Sequence, residues 1–219
     1  MPTSPADTVD AIARRGVIAI LRIDDAGAVR PVVDALLEGG VRVIEITMTV
    51  PGAVGAIRAL ASQLPDDAML GAGTVLDAQT TTCVIDAGAE FVVSPVFRPE
   101  IIDACHRLGA AAIPGCFSPT EILAAWDAGA DVVKVFPSTA LGPAYFKDLR
   151  GPLPHVKLMP TGGVTIENTG AWIAAGAIAV GIGGALVDAN AIASRRFDEI
   201  TARARRVVAA IAAARQGLS

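Results

Sequence analysis

Asp127-Ala128-Gly129-Ala130-Asp131-Val132-Val133-Lys134-Val135-Phe136-Pro137 joins a helix end, a glycine stop and an apolar strand in one run. A glycine just past a helix takes the left-handed conformation without a Cβ penalty, so the Ala-Gly-Ala segment closes one element and opens the next. The same mark recurs at Glu38-Gly39-Gly40-Val41, Ala87-Gly88-Ala89-Glu90, Leu108-Gly109-Ala110 and Ala175-Gly176-Ala177. Working outward from these marks, apolar runs predict strands at 17–22, 41–47, 68–72, 90–94, 111–115, 131–136, 156–160 and 178–182. Helical patterns fill the gaps at 25–38, 51–63, 77–87, 98–108, 118–128, 143–149, 165–175 and 195–214. A short leading helix at 5–15 precedes them, with Asp7 or Thr8 as its expected cap and Val9, Ile12 and Ala13 on one face.

Eight strands alternating with eight helices, with the strands apolar on both faces, predict an α/β fold of the (β/α)₈ barrel type. An open doubly wound sheet is the rival, because alternation does not show that a sheet closes. No linker or shift in composition divides the 219 residues, so one domain over 1–219 is expected, with a leading helix in 1–16 and the barrel in 17–219.

No run reaches the roughly 18 uninterrupted apolar residues of a membrane span, and no basic-then-apolar leader opens the chain, so a soluble cytoplasmic protein is expected. Net charge is −4 without blocks of like charge, which argues against nucleic-acid and membrane partners and favours a small molecule. Cys83, Cys105 and Cys116 form no CxxC pair and have no histidine at ligand spacing, so neither disulfides nor a zinc site is expected. His106 and His155 read as surface residues, with no nucleophile or acid beside them in sequence.

Chemistry is expected at the C-terminal ends of the strands. The chain has 15 Arg but three Lys, and one of the three, Lys134, sits among valines. A desolvated ammonium can lose its proton and attack a ketone to form a Schiff base, which a guanidinium cannot do. The alternative is a lysine that snorkels to solvent or pairs with a carboxylate. Glu45, in Val41-Arg42-Val43-Ile44-Glu45-Ile46-Thr47, is the second ionisable side chain in an apolar strand. Alternation puts Val43, Glu45 and Thr47 on one face and the isoleucines on the other, which points Glu45 inward; Val132, Lys134 and Phe136 share a face in the same way. An amine and a carboxylate in one barrel mouth form either a buried ion pair or a nucleophile with its acid/base, and a buried ion pair is often no better for stability than apolar residues. Lys147, in a helical run, and Lys157, near a strand's beginning, are the rival amines. Thr161-Gly162-Gly163-Val164, leading to a helix expected near Thr165, and Gly181-Ile182-Gly183-Gly184 are glycine-rich strand ends of the kind that bind phosphate.

With Glu45, Lys134-Val135-Phe136-Pro137, Gly71-Ala72-Gly73-Thr74-Val75, Val93-Ser94-Pro95, Ile113-Pro114-Gly115, Gly151-Pro152-Leu153-Pro154 and Pro160-Thr161-Gly162-Gly163 in order, the chain resembles the 2-keto-3-deoxy-6-phosphogluconate / 4-hydroxy-2-oxoglutarate aldolase family along nearly its whole length. The resemblance implies a (β/α)₈ class I lyase, usually trimeric, that acts on a 2-keto acid and a phosphorylated aldehyde without metal or cofactor. By position, Lys134 resembles the Schiff-base lysine and Glu45 the acid/base. Thr74 is similar to the family's contact to the pyruvyl carboxylate. Pro95 and Phe136 resemble the walls around the imine, and Gly162, Gly163, Gly183 and Gly184 the phosphate cradle. Thr49 stands where many members carry a carboxylate-binding Arg, so Thr74, backbone amides and Arg22 are expected to share that task. Gly184 stands where serine is common, and Val96 where glycine is frequent. The alternatives within the family are the 6-phosphogalactonate epimer and the non-phosphorylated substrate. Outside it stand a phosphosugar isomerase, in which Lys134 only contacts an anion, and an oligomeric scaffold with Ala-rich helices.

Overall fold

The computed structural model describes residues 4–217. Residues 1–3 and 218–219 of the expected domain lie outside the described residues. The chain opens with α1 (Pro5–Arg15), whose cap is Ser4 rather than Asp7 or Thr8. Pro5 pre-sets the first helical φ, the Ser4 hydroxyl accepts from Asp7 N at 3.2 Å, and the Asp7 carboxylate accepts from Ser4 N. Then come β1 (Val17–Leu21), a 3₁₀ turn at Ala26–Ala28, α2 (Val29–Glu38), β2 (Val43–Thr47), α3 (Ala53–Ala61), β3 (Met69–Gly73) and α4 (Ala78–Asp86). They are followed by β4 (Phe91–Val93), α5 (Pro99–Leu108), β5 (Ala111–Ile113), β6 (Gly115–Cys116), α6 (Pro119–Asp127) and β7 (Val133–Val135). The chain continues through a 3₁₀ turn at Ser138–Ala140, α7 (Gly142–Arg150), β8 (Leu158–Pro160), α8 (Thr169–Ala174), β9 (Val180–Ile182), α9 (Ala189–Ala193) and α10 (Phe197–Gln216).

Every strand pair is parallel, as crossover helices require. Six strands run in the order β5-β4-β3-β2-β1-β9 and three in the order β6-β7-β8. The expected strand at 111–115 is thus two pieces, divided at Pro114, which has no N–H to give to a ladder. Across that division, Lys134 N donates to Pro114 O at 2.9 Å and Asp131 N to Ala112 O at 3.0 Å. At the other edge, Ile178 N donates to Leu158 O at 3.1 Å and Thr161 bridges Gly181.

Several strands are shorter than their apolar runs. The outer residues carry single backbone bonds outside the paired register, such as Met69 N to Arg42 O at 2.7 Å and Val133 N to Lys157 O at 2.8 Å. The helix expected at 165–175 is regular only from Thr169; Thr165 and Asn168 exchange side-chain to backbone bonds ahead of it in the manner of a capping box, and Thr169 N donates to Thr165 O at 3.1 Å, so the turn from Thr165 leads into α8. The short helix α9, capped by Asp188, had no counterpart in the sequence reading.

Side-chain alternation sorts the core into two layers. Ile44 and Ile46 pack with Val32, Leu36 and Ile57 of the flanking helices. On the opposite face Ile18, Val43, Met69, Phe91, Val132 and Met159 form an interior cluster. Val9 and Ile12 of α1 join that cluster, so the leading helix covers one end of it. Full burial of Ile12 contributes about 1.5–3 kcal/mol. Gly71 belongs to this packing, since a Cβ there would meet the Phe91 ring at 2.3 Å. Among the described residues no helix is long and apolar enough to cross a membrane.

Candidate active site

Val43 and Val132 lie in the interior cluster, and Glu45 and Lys134 stand two residues further along the same strand faces. Both ionisable side chains are buried, Glu45 at 1% exposure and Lys134 at 6%. The rival amines Lys147 and Lys157 are exposed. Burial drives the Glu45 pKa up, with the Lys134 and Arg22 charges opposing that rise. Burial drives the Lys134 pKa down, which Glu45 opposes and Arg22 reinforces. The shared consequence is that each charged form costs more here than in water, so a free amine and a protonated carboxyl are both brought toward neutral pH. Glu45 Oε2 has no hydrogen-bond partner within the protein. Lys134 Nζ lies 4.8 Å from the centroid of the Phe136 ring, a distance at which a cation is attracted to the ring face.

The register places Gly73 beside Thr47 at the end of β2. A Cβ on Gly73 would stand 1.7 Å from Glu45 Oε1, so only glycine leaves the carboxylate its position. Thr74 follows with φ +58°, a left-handed conformation that is costly for a β-branched residue. Its hydroxyl accepts from Arg22 Nη2 at 3.2 Å, across the end of β2. Arg22 itself lies one residue beyond β1 and is exposed, and it lines a cavity of about 510 Å³ with Ile23, Asp25, Val187, Asn190 and Arg195. Thr47 Oγ1 donates to Leu21 O at 2.9 Å and lies 2.7 Å from Thr49 Oγ1.

Pro95 and Phe136 are half-buried. The Pro95 carbonyl packs so closely on Gly115 that a Cβ there would meet it at 2.4 Å. Gly162 and Gly163 both take positive φ, 85° and 72°, and a Cβ on Gly163 would meet Thr139 Cα at 2.7 Å. The regular helix α8 begins at Thr169, six residues after Gly163. Gly183 and Gly184 follow β9, and α9 starts five residues after Gly184. Arg22, Thr49, Thr74, Pro95, Phe136, Gly162, Gly163, Gly183 and Gly184 thus lie one to two residues or a short loop beyond the C-terminal ends of their strands, while Glu45 and Lys134 lie within β2 and β7.

Three residues that the sequence reading named without a role have specific contacts or a buried polar atom at the site. Gly73 carries no local signal of its role, Thr47 reads only as an inward strand residue, and Thr161 has a buried hydroxyl without a partner.

Comparison with known proteins adds an independent line. The family model for KDPG and KHG aldolase matches residues 9–203. The 2-dehydro-3-deoxy-phosphogluconate aldolase of Pseudoalteromonas atlantica is 34% identical over 204 residues, 93% of this chain and 94% of that protein. The 2-dehydro-3-deoxy-6-phosphogalactonate aldolase of Escherichia coli is 34% identical over 186 residues, 84% of this chain and 91% of its own length. The crystal structure of KDPG aldolase from Legionella pneumophila, with pyruvate captured as a covalent carbinolamine intermediate, superposes with a TM-score of 0.85 at 31% identity and covers 94% of this chain and 99% of that one.

Proposed function

This chain belongs to the KDPG and KHG aldolase family, and from that premise we propose that it is a class I aldolase that reversibly cleaves 2-keto-3-deoxy-6-phosphogluconate to pyruvate and glyceraldehyde 3-phosphate. The observation that carries the reading is a buried lysine, with its pKa driven down, that shares a strand-end site with a buried carboxylate. Metal is not needed for this mechanism, because the imine itself is the electron sink.

The Lys134 amine attacks the C2 ketone, and loss of water from the carbinolamine gives a cationic imine. The Phe136 ring face stabilises that cation. Glu45, through a water molecule, accepts the proton of the C4 hydroxyl. The C3–C4 bond pair flows into the imine, leaving an enamine and releasing the aldehyde. Protonation at C3 and hydrolysis return pyruvate and free Lys134. Arg22 and Thr74 hold the 2-keto carboxylate, Pro95 walls the imine, and the amides of Gly162, Gly163, Gly183 and Gly184 take the phosphate. The pyruvate half of the cleavage is common to the galactonate epimer and to 4-hydroxy-2-oxoglutarate, so turnover of the three substrates ranks them.

We read the two sheets as one closed eight-stranded barrel in one domain. The backbone bonds from Lys134 and Asp131 to Pro114 and Ala112, and from Ile178 to Leu158, support closure, as does a helix-facing core that extends from Val17 to Ile211. A homotrimer is the assembly that the family resemblance implies, and exposed Leu76, Val96, Phe117 and Leu123 offer apolar surface for association between copies. Three free thiols support a reducing, cytoplasmic setting.

The test is incubation with pyruvate and borohydride followed by peptide mass spectrometry. The reading expects a reduced adduct on the peptide containing Lys134. Lys134→Arg should keep the fold and lose on the order of 10⁴-fold or more in turnover. A folded parent that forms no adduct, or a Lys134→Arg variant with substantial turnover, refutes the assignment.

A further inference from the structure

Hydrogen-bond direction at the ends of β1, β2 and β3 can be followed atom by atom. Leu21 O is a carbonyl and only accepts, so its 2.9 Å contact uses the single hydroxyl hydrogen of Thr47. Thr47 Oγ1 therefore enters its 2.7 Å contact with Thr49 Oγ1 as the acceptor, and the hydrogen in that contact belongs to Thr49. Thr49 is left with lone pairs and no hydrogen to offer. The chain is anchored inside the protein, since Thr47 is fully buried, whereas Thr49 is exposed. The neighbouring pair runs the opposite way. A guanidinium only donates, so Thr74 Oγ1 accepts from Arg22 and keeps its own hydrogen for an incoming acceptor.

We propose that Thr49 is a specificity-determining acceptor, taking a hydrogen bond from a hydroxyl on the aldehyde-derived half of the substrate, and that it gives none to the 2-keto carboxylate. The inference rests on the aldolase reading above and deepens it. A carboxylate needs donors, which Thr74 and Arg22 present and Thr49 does not. A polyhydroxylated substrate such as 2-keto-3-deoxy-6-phosphogluconate carries a hydroxyl at C5 that can donate. In 4-hydroxy-2-oxoglutarate the C5 position is a carboxylate, which would meet the Thr49 lone pairs. The Thr49–Thr47–Leu21 chain thus selects for sugar-derived substrates over dicarboxylic ones, and Thr47 is the positioning residue that fixes the direction.

The experiment compares the parent with Thr49→Val, which keeps the shape and removes the acceptor, and with Thr49→Ser, which restores it. Three quantities are measured in each: kcat/KM for both substrates, and half-saturation by pyruvate from borohydride trapping. In Thr49→Val the ratio of kcat/KM for the phosphogluconate over the oxoglutarate substrate should fall about 3- to 10-fold, the range for one neutral hydrogen bond. Half-saturation by pyruvate should move less than about twofold, within the spread of an untouched contact. Thr49→Ser should recover the ratio. A Thr49→Val variant whose half-saturation by pyruvate rises tenfold would show a donor to the carboxylate and overturn the proposal. An unchanged ratio would overturn it as well. Failure of the parent to form any pyruvate adduct is a different result, which removes the aldolase reading and this inference with it.

Discussion

Replacing Gly73 with Ala tests whether the carboxylate of Glu45 is held where the chemistry needs it. The backbone at Gly73 has no positive φ, so alanine meets no conformational penalty there, and the whole effect is steric. The new Cβ would stand 1.7 Å from Glu45 Oε1, 2.4 Å from Cδ and 2.7 Å from Cγ. Contacts below 3.0 Å are essentially never seen, so Oε1 must retreat by at least about 1.3 Å. A misplacement of about 1 Å in a catalytic group costs roughly 100-fold in rate, and kcat for Gly73→Ala should fall by about that factor. Overpacking of this kind costs about 1–3 kcal/mol, which in a chain of this length lowers Tm by roughly 2–10 °C. Steady-state kinetics and thermal melts of Gly73→Ala, Glu45→Gln and the double variant make a complete cycle. If alanine acts through Glu45, the double variant is no slower than Glu45→Gln alone. Losses that multiply, or a Gly73→Ala enzyme with parental kcat, would refute the steric argument.

Three further perturbations follow from the same site. Arg22→Leu removes a positive charge that lowers the Lys134 pKa, so the acid limb of pyruvate trapping against pH should move to higher pH; half-saturation by pyruvate should rise about 10- to 100-fold for a lost charge-assisted hydrogen bond, and a limb moving to lower pH would contradict the geometry. Glu45→Gln should slow turnover about 100- to 10,000-fold. The same variant removes a carboxyl whose folded pKa is raised above its ordinary 4.5. The parent's folded state holds that proton more tightly than its unfolded state, so its stability falls as pH rises from 4.5 through the raised value, and the Tm advantage of Glu45→Gln should widen over that window. An advantage that narrows with rising pH would reverse the sign of the shift. Gly184→Ser adds a hydroxyl where a Cβ meets nothing within 4 Å, and kcat/KM for the phosphorylated substrate should rise about 2- to 10-fold relative to 4-hydroxy-2-oxoglutarate; equal effects on both would remove Gly184 from the phosphate cradle.

Lys134 and Glu45 were legible in the sequence because an ionisable side chain in an apolar strand is costly, and strand alternation says which way it points. The helix-end glycines were legible for a similar reason: Gly88, Gly109, Gly129 and Gly176 all take the positive φ that such marks require. What escaped depends on contacts between distant residues. Gly73 matters because of Glu45, 28 residues earlier, and nothing near Gly73 announces that contact. Thr74 was singled out by the family resemblance, but its left-handed backbone and its bond to Arg22, across 52 residues, leave no local mark in the sequence. Pro114 divides a strand that the apolar pattern draws as continuous, since hydropathy does not record a missing N–H. The capping exchange between Thr165 and Asn168 occupies a turn ahead of the regular start of α8 at Thr169, an offset that apolar periodicity does not record.

The leading helix bears on the order of events during turnover. With Val9 and Ile12 set into the apolar packing on the Val43 and Val132 side of the site, the closed barrel proposed above would be stoppered at that end, a cup and not a tube. Whatever enters last sits nearest the exit. In the proposed mechanism pyruvate stays tethered to Lys134, so the aldehyde leaves first in cleavage and arrives second in synthesis. A sequential departure is thereby set by the covalent tether, without any moving part.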